Sequence, residues 1–341
     1  MSGELRQAPN LHLFQNDLVL DAPGDTVDTL HNFILSRLPK SDTALAEAAR
    51  HHFAKSGKML RAKMALRAAK ILKIDAAAAL HWAVAIEVLH NASLIHDDIC
   101  DGDQLRRGRL SVWSKYGRNV ALTLGDWLIA LAFELAAEAG QRAQTPSLVK
   151  ILAQHMATTT AGEAAEFSLH TGLDWDRYLK IAADKTAPLL TAPLEGVAAM
   201  ALHGNSAAAI GSYFRSLGTA YQIANDVLNF RALDGAADLG SDLARRAPNA
   251  VVVQYRQTLC AESLAAFDDW CLLGSLDNLK MWQNNILQSD ALALSAHEMH
   301  NALEQTALYA QALPVGLIEA ISPVQSLLTQ VCMRSVAPVN C

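Results

Sequence analysis

The longest apolar run of the sequence, AAAALHWAVAIEVLHNASLI at 76–95, constrains the fold more than any other feature. Apolar residues occur on nearly every side of a helix drawn through it, which is typical of a helix buried in the middle of a bundle. Elsewhere, apolar residues recur mostly at three- and four-residue spacing, as amphipathic helices require. We therefore expect an all-α chain with central helices ringed by others, in a single domain over 1–341.

The composition agrees with this fold class. The 341 residues are 51% hydrophobic and include only 18 glycines and 10 prolines, which favours helices over sheets. All-helical bundles can carry one core at this length. The helices predicted from the spacing and its breaks are 25–38, 42–54, 58–72, 76–100, 118–139, 146–170, 175–202, 206–233, 242–257, 260–272, 276–288, 295–310 and 315–333.

Charge and cysteine usage exclude some classes of function. A net charge of −6 gives no reason to expect nucleic acid as a partner, since phosphates call for a basic surface. The odd number of cysteines, five without a CxxC pair, suits a reduced cytoplasmic protein. The start MSGELRQAPN shows no signal peptide, and the most membrane-like stretch, 119–139, is interrupted by Asp126 and Glu134. We expect a cytoplasmic protein without an integral membrane segment, in which 119–139 is a buried helix.

An acidic cluster follows the long apolar helix, in the segment HDDICDGDQLRRGR. Asp97 and Asp101 lie four residues apart, so their carboxylates project from one helical face, with Asp98 beside them. Asp103 adds a fourth carboxylate near a helix C-terminus that already carries partial negative charge. A hard cation such as Mg²⁺ would relieve this repulsion, because it prefers carboxylate, water and phosphate oxygens.

Arg106, Arg107 and Arg109 come directly after the acidic cluster and are suited to gripping a phosphate through planar donor forks. The alternative is a solvated helix end held by local salt bridges, since charge runs are usually exposed. The very apolar helix that leads into the cluster favours the metal and phosphate interpretation.

The segment HNASLIHDDICDGDQLRRGRLSVWSKYG resembles the first aspartate-rich motif, DDxxD followed by LRRG, of trans-isoprenyl diphosphate synthases. The sequence GKMLR at 57–61 is similar to the GKxxR signature of that family. LGDWLIALAFELA, ADKTAPLL and AYQIANDVLNF follow in the family's order, so the resemblance covers roughly residues 50–250. It implies an isoprenoid synthase-type helical bundle around a central substrate cavity.

The resemblance also implies an activity: a Mg²⁺-dependent trans-prenyltransferase that condenses an allylic diphosphate with isopentenyl diphosphate. Asp97 and Asp101 would hold Mg²⁺, with up to three ions in all, and Asp98 would support them. The catalytic residues implied are Asp97, Asp98, Asp101 and Lys185. The resemblance assigns Arg106, Lys185, Thr186 and Gln222 to the allylic diphosphate, and Lys58, Arg61, His90 and Arg107 to isopentenyl diphosphate.

The second aspartate-rich motif departs from the family pattern. Where the family has DDxxD, this chain has Asn225, Asp226 and Asn229. An asparagine carbonyl oxygen can still coordinate Mg²⁺, but two negative charges are gone, so a third ion should bind more weakly. The predicted metal ligands are therefore Asp97, Asp101, Asn225, Asp226 and Asn229.

Two lysines usual near this point are also missing. Ala237 and Ala247 stand roughly at their positions. Arg231, Arg245 and Arg246 are the candidates to replace them.

These departures leave three hypotheses open. The first is a working synthase with a modified metal site, favoured by the intact residues for isopentenyl diphosphate. The second is a terpene cyclase, or a prenyltransferase to another acceptor, because NDxxN is closer to the cyclase metal motif; Leu233, however, occupies that motif's glutamate position. The third is a weakly active or regulatory subunit of a heteromeric synthase, against which the intact Asp97, Asp98 and Asp101 argue.

In this family, residues one turn before the first motif form a floor for the growing chain. Here these are Ala92 and Ser93, both small, which favours a product of C20 or longer. The same small residues would also permit close helix packing. Synthases of this family are usually homodimers, and the abundance of apolar helix surface fits a homodimer.

Overall fold

The computed structural model describes residues 23–40, 43–55, 57–167, 173–231, 240–273 and 276–337. Leu233, Ala237 and the N-terminal segment named above lie outside the described residues, as do the predicted helix ends at 168–170 and 232–233.

Within the described residues the chain is built of α-helices, which confirms the predicted all-α class. They are α1 Pro23–Arg37, α2 Ala44–Phe53, α3 Leu60–Ile71, α4 Ala76–Cys100, α5 Val112–Tyr116, α6 Arg118–Arg142, α7 Ser147–Phe167, α8 Trp175–Thr186, α9 Pro188–Met200, α10 Ala207–Asn229, α11 Ser241–Arg245, α12 Ala250–Thr258, α13 Ala261–Leu273, α14 Leu279–Gln288, α15 Ala291–Ala310 and α16 Val315–Val336. A two-stranded antiparallel hairpin joins β1 Leu105–Arg106 to β2 Arg109–Leu110.

Two predicted helices were too long. The prediction 175–202 is wrong at Pro188, where α8 ends and α9 begins, because proline has no N–H to donate to the preceding turn. The prediction 242–257 is wrong at Arg246, whose φ of 61° places it in the left-handed region and ends α11. Helix α12 starts anew with Asn249 as its cap, since the Asn249 side chain accepts from the Val251 N–H.

The chain divides into two compact units, Met1–Leu152 with Gly196–Gly204, and Ala153–Glu195 with Asn205–Cys341. The expectation of one domain over 1–341 stays a prediction. In the first unit, α4 packs against α6, α3 and α1, and Trp82 and Ile86 on α4 are fully buried. Its start is fixed by Asp75, whose side chain accepts from the Ala78 N–H.

The second unit is centred on α10, which packs against α8, α12, α15 and α16. An aromatic core lies nearby, with the rings of Phe267 and Trp282 in an edge contact at 5.0 Å. The Arg246 guanidinium lies over the Trp270 ring at 3.7 Å, a cation–π contact that closes one side of this core.

Three helices are long and apolar enough to cross a membrane by length and composition: α4, α6 and α16. The buried share of their most apolar windows is 83% for α4, 44% for α6 and 33% for α16. The prediction that 119–139 is a buried helix is therefore only half right, because α6 leaves residues such as Leu122 exposed. The absence of a membrane segment stays a prediction.

The close approach of α9 to α4 in the first unit gives a stability prediction. A Cβ added at Gly196 would lie 2.1 Å from the Trp82 ring, so the fully buried indole would have to move. We expect Gly196→Ala to lower the free energy of unfolding by about 2–3 kcal/mol through overpacking.

The matched control is Gly211→Ala in α10, where nothing lies within 4 Å of the added Cβ. This change should leave stability equal or raise it by up to about 1 kcal/mol, since alanine is the better helix former. Denaturant unfolding measures both variants. Equal stabilities for the two would contradict the packing argument.

Candidate active site

The acidic cluster lies at the C-terminal end of α4, as the sequence predicts. Asp101 is the helix cap and donates its backbone N–H to the Asp97 carbonyl at 2.8 Å, so the helical spacing of the two side chains is kept. Both residues are partly exposed, whereas Asp98 is only 1% exposed. Burial raises the pKa of Asp98, and the nearby charges of Asp103 and Asp101 add to this rise while Arg106 opposes it.

The LRRG segment forms the β1–β2 hairpin, which the sequence analysis missed. Arg107 and Gly108 form its two-residue turn with φ values of 56° and 76°, the left-handed geometry of tight hairpins. Arg106 ends the first strand and Arg107 opens the turn, and their side chains contact different partners. Arg106 turns to Asp98 and donates to its Oδ1 from Nε at 2.7 Å and also from a terminal nitrogen.

Arg107 is held by the segment before α3. Its guanidinium donates to the Lys55 carbonyl at 3.1 Å and to Asn91 Oδ1 at 3.4 Å, and Lys55 Nζ donates to the Arg107 carbonyl at 3.2 Å. Gly57 permits this contact, because a Cβ there would lie 2.8 Å from the Arg107 guanidinium. The GKMLR and LRRG motifs therefore lie together in the first unit.

Several cationic groups surround His90 on α4. Burial holds the pKa of His90 well below its usual range, and the positive charges of Arg61 and Arg107 lower it further. Arg106 and His52 contribute in the same direction. We call Arg61, Arg106 and Arg107 the cationic cluster. Lys58 is exposed and lies three residues before Arg61, at the edge of α3.

A small cavity of about 20 Å³ lies beside this cluster, between α2 and the hairpin. Arginine, lysine and histidine side chains provide most of its lining: His51, His52, Lys55, Arg106, Arg107 and Arg109. Its many donors and few negative charges suit a water molecule or a single electronegative atom, which is about all that a cavity of this volume holds.

Three polar residues beneath the cationic cluster were not singled out as site residues from the sequence. Glu87 and Asn91 are both 3% exposed on α4, and His52 of α2 bonds Asn91 Oδ1 through Nε2 at 3.0 Å. Burial raises the pKa of Glu87, while the charges of Arg61 and Arg107 oppose the rise. The sequence signal that could have identified Glu87 and Asn91 is their spacing, since they are polar residues four apart within an otherwise apolar helix.

In the second unit, Asp226 is fully enclosed by protein donors. Its Oδ2 accepts from the Tyr178 hydroxyl at 2.7 Å and the Ala250 N–H at 2.7 Å, and its Oδ1 accepts from Gln222 Nε2 at 3.0 Å. The Thr186 hydroxyl donates to Gln222 Oε1 at 3.4 Å, so Thr186, Gln222 and Asp226 form one chain of hydrogen bonds. Burial and the charge of Asp242 raise the pKa of Asp226 to about 8, despite these donors.

Asn229 is also committed to protein contacts. Its amide nitrogen donates to Ser241 Oγ at 2.8 Å, and its Oδ1 accepts from the Asp242 N–H at 3.4 Å. Asn225, in contrast, is partly exposed. The role of Asn225, Asp226 and Asn229 as metal ligands stays a prediction. At Asp226 and Asn229, a metal ion would have to share the side-chain oxygen atoms with the hydrogen-bond donors that already contact them.

The three arginines considered as replacements for the missing lysines all have protein partners. Arg231 donates to the Ala337 carbonyl at 2.7 Å, Arg245 pairs with Asp242 at 2.9 Å, and Arg246 covers Trp270. These contacts stabilise the second unit, and they argue against the three arginines acting as replacements for the missing lysines. Ala247 donates its N–H to the Asp242 carbonyl at 3.0 Å, so it lies in the same turn.

Lys185 is bound on α8 by two carboxylates of α7. Its Nζ lies 2.7 Å from Glu166 Oε2 and 2.9 Å from Glu163 Oε2. Burial alone would lower the pKa of Lys185, but the charges of Glu166 and Glu163 outweigh it and raise that pKa. The predicted contact with an allylic diphosphate therefore requires this lysine to exchange or share its two carboxylate partners.

The carboxylates of the first motif fit Mg²⁺ by their chemistry. In the described residues, Asp98 Oδ2 is buried without a hydrogen-bond partner, which leaves a hard oxygen for a cation or its water. Within the same residues, however, no three His, Cys, Asp or Glu side chains are gathered closely enough to form a finished metal site. Substrate oxygens and water would have to complete the coordination, as is usual for Mg²⁺.

A family model described as polyprenyl synthetase matches residues 42–269, about two thirds of the chain. The chain belongs to the polyprenyl synthetase family. The match includes the GKMLR segment, the acidic cluster, Lys185 and the NDxxN segment.

Proteins similar to this chain include a geranylgeranyl diphosphate synthase of Sulfolobus acidocaldarius. The two are 31% identical over 211 residues, which cover 60% of this chain and 63% of that synthase, less than two thirds of its length.

Solved structures confirm the isoprenoid synthase-type fold of the chain. A decaprenyl diphosphate synthase from Rhodobacter capsulatus aligns with a TM-score of 0.78 at 22% identity, covering 92% of this chain and 97% of that one. A polyprenyl synthase from Caulobacter crescentus, solved with calcium and isoprenyl diphosphate, aligns with a TM-score of 0.75 at 25% identity, covering 94% and 96%.

The burial of His52 gives a prediction about how the stability of the protein depends on pH. Burial lowers the pKa of His52 to about 4, below its value of about 6.5 in the unfolded chain. The unfolded chain therefore binds the extra proton first, so this stability is complete above pH 6.5 and is lost as the pH falls toward 4. Between pH 7 and pH 5, His52 should lower the free energy of unfolding by about 2 kcal/mol.

Denaturant unfolding at several pH values checks this expectation. The slope of stability against pH should be shallower in His52→Gln, and the exposed His203→Gln serves as the matched control. Identical slopes for the wild type and His52→Gln would show that His52 does not stay neutral in the folded protein.

Proposed function

We propose that this protein is a Mg²⁺-dependent trans-prenyltransferase that condenses an allylic diphosphate with isopentenyl diphosphate. The observation that carries the proposal lies in the first unit. There the cationic cluster and the acidic cluster lie on one helix, α4, and on the α3 and hairpin segments that contact it. Negative carboxylates for a cation and positive groups for a second anion are the two requirements of this reaction.

In this mechanism Asp97 and Asp101 would hold Mg²⁺, and Asp98 would support them while it accepts from Arg106. When bound, Mg²⁺ would supply the positive charge that neutralises a diphosphate leaving group. Arg106 would hold this diphosphate from the hairpin, and Lys185, Thr186 and Gln222 are the further contacts that the resemblance implies.

Lys58, Arg61, His90 and Arg107 would bind the diphosphate of isopentenyl diphosphate and orient its double bond toward the allylic carbon. The double bond attacks that carbon, a new carbon–carbon bond forms, and a proton leaves the adjacent carbon of the isopentenyl unit. The departing diphosphate is the base within reach in such an arrangement. Burial, assisted by the charges of Arg61 and Arg107, lowers the pKa of His90, so a neutral His90 can offer a hydrogen bond without adding a charge.

We also propose a product of C20 or longer. Ser93 and Ala92, one turn before the acidic cluster, are small, and the Ser93 hydroxyl is turned back to the His90 carbonyl at 2.9 Å. The similarity to a geranylgeranyl diphosphate synthase supports the same length.

We further propose a cytoplasmic homodimer. The exposed apolar residues of α6, among them Leu122, support a protein contact on that helix. The four cysteines of the described residues are thiols outside any disulfide, which fits a reducing compartment.

The test of the activity is incubation with dimethylallyl, geranyl and farnesyl diphosphates, each with and without isopentenyl diphosphate and Mg²⁺, followed by mass analysis. We expect longer prenyl diphosphates only when isopentenyl diphosphate and Mg²⁺ are both present. Asp97→Asn with Asp101→Asn should lower kcat at least about 100-fold, because removing one electrostatic contact to a leaving group already costs that much.

The control is Asp126→Asn on α6, an exposed carboxylate outside both motifs. Cyclic hydrocarbons made without isopentenyl diphosphate would instead support the cyclase hypothesis. Binding without turnover, together with activity gained by adding another synthase chain, would support the regulatory subunit.

A second prediction concerns the weakened metal site. Asn225→Asp restores a charge at the partly exposed position of the second motif. We expect the Mg²⁺ concentration for half-maximal activity to fall about threefold to tenfold, since an added carboxylate strengthens a hard-cation site.

Asn229→Asp is the matched comparison within the same motif. Asn229 is buried and bonded to Ser241 and Asp242, so a new carboxylate there would lie beside the Asp242 charge. This variant should lower stability without the gain in Mg²⁺ affinity. A Mg²⁺ requirement unchanged in Asn225→Asp would remove this position from the metal site.

A further inference from the structure

Glu87 is a buried carboxylate in the middle of α4 that none of the roles above uses. It is 3% exposed, and its Oε2 has no hydrogen-bond partner among the described residues. An unsatisfied charged oxygen in the interior is costly unless nearby positive charge offsets it. The positive charges that act on Glu87 are those of Arg61 and Arg107.

The carboxylate of Glu87 also completes the start of α3. The cap residue of α3, Met59, makes no side-chain capping bond and has a φ of 48°. The first N–H groups of a helix need an outside acceptor. The Ala62 N–H, in the first turn of α3, donates to the Glu87 carboxylate. Glu87 of α4 thus accepts a hydrogen bond at the start of α3, which the side chain of the cap residue Met59 does not do.

This contact fixes the helix turn that carries Arg61. Ala62 follows Arg61 directly, so a bond at Ala62 restrains the backbone from which the Arg61 side chain extends. Arg107 joins the same network through Asn91, because it donates to Asn91 Oδ1 at 3.4 Å while Asn91 Nδ2 donates to the Glu87 backbone carbonyl at 2.8 Å. The Glu87 carboxylate therefore restrains Arg61 through the Ala62 turn and acts on Arg107 through its negative charge.

We propose that Glu87 is a positioning residue that holds Arg61 and Arg107 in place for the diphosphate of isopentenyl diphosphate. The proposal rests on the function proposed above for these two arginines. Glu87 lies beneath the guanidinium groups and touches no substrate. It orients them and restrains their side chains before the anion arrives, which reduces the ordering that binding would otherwise require.

The direction in which Glu87→Gln changes the affinity for isopentenyl diphosphate distinguishes a positioning role from a purely electrostatic one. Loss of a negative charge near the site would, by electrostatics alone, strengthen the binding of an anion. Loss of positioning weakens it. We expect the KM for isopentenyl diphosphate to rise about tenfold, with the KM for the allylic diphosphate changed less than about twofold. Titration calorimetry with isopentenyl diphosphate and with inorganic diphosphate should show the same weakening without turnover.

A double-mutant cycle tests whether Glu87 acts through Arg61. If it does, Arg61→Ala combined with Glu87→Gln should bind isopentenyl diphosphate no more weakly than Arg61→Ala alone. Glu87→Asp is the second variant: it keeps the charge but withdraws the carboxylate, so it should also weaken binding. Glu138→Gln is the structural control, since Glu138 pairs with Arg37 and His81 within the same unit. It should lower the unfolding temperature and leave the KM for isopentenyl diphosphate unchanged.

Unchanged or tighter binding in both Glu87→Gln and Glu87→Asp would overturn the positioning role. Additive losses in the double variant would also overturn it, because they would mean that Glu87 and Arg61 act separately. A wild-type protein that elongates no primer, yet binds inorganic diphosphate more weakly after Glu87→Gln, would overturn the proposed function and keep the positioning role. A wild-type protein that binds no diphosphate would overturn both.

Discussion

The structure of the first unit depends on how the buried polar and charged side chains of α4 are compensated by partners. The helix is surrounded by other helices over most of its length, and yet it carries Glu87, Asn91 and Asp98 with 3% exposure or less. Each of these polar groups would be costly without partners. Arginine side chains of α3 and the hairpin supply the compensation, so the apolar helix and the two basic motifs require one another. Removing either side would leave the other as uncompensated buried charge.

Because α4 and the basic motifs depend on one another, the charged side chains of the hairpin have defined contacts. Arg106 ends the first strand and donates to Asp98, whereas Arg107 lies in the tight turn and donates to Asn91 and Lys55. In the proposed mechanism, one motif would therefore serve both the diphosphate held through a cation and the diphosphate held directly.

Much of this arrangement was predictable from the sequence, and the parts that were not have physical reasons. Helix α4 was predicted with its observed bounds, because its apolar residues and the capping Asp75 agree. The break at Pro188 was missed since apolar periodicity continues through it, although proline cannot donate to the preceding turn. The hairpin was missed because two-residue strands carry no periodicity. Glu87 and Asp226 owe their roles to partners distant in sequence, such as Ala62 and Tyr178, which no local pattern reveals.

In the second unit, the charged residues of the predicted site are paired differently from those in the first. There the charged positions are satisfied internally: Asp226 by Tyr178 and Ala250, and Lys185 by two glutamates. Burial and the Asp242 charge raise the pKa of Asp226 to about 8, so its charged form is less favoured than that of an ordinary aspartate. The loss of charge at Asn225 and Asn229 therefore leaves the second motif with one aspartate, whose charged form burial disfavours. A cation bound on this side would depend on Asn225, on water and on the diphosphate oxygens, which makes the substrate part of the metal site.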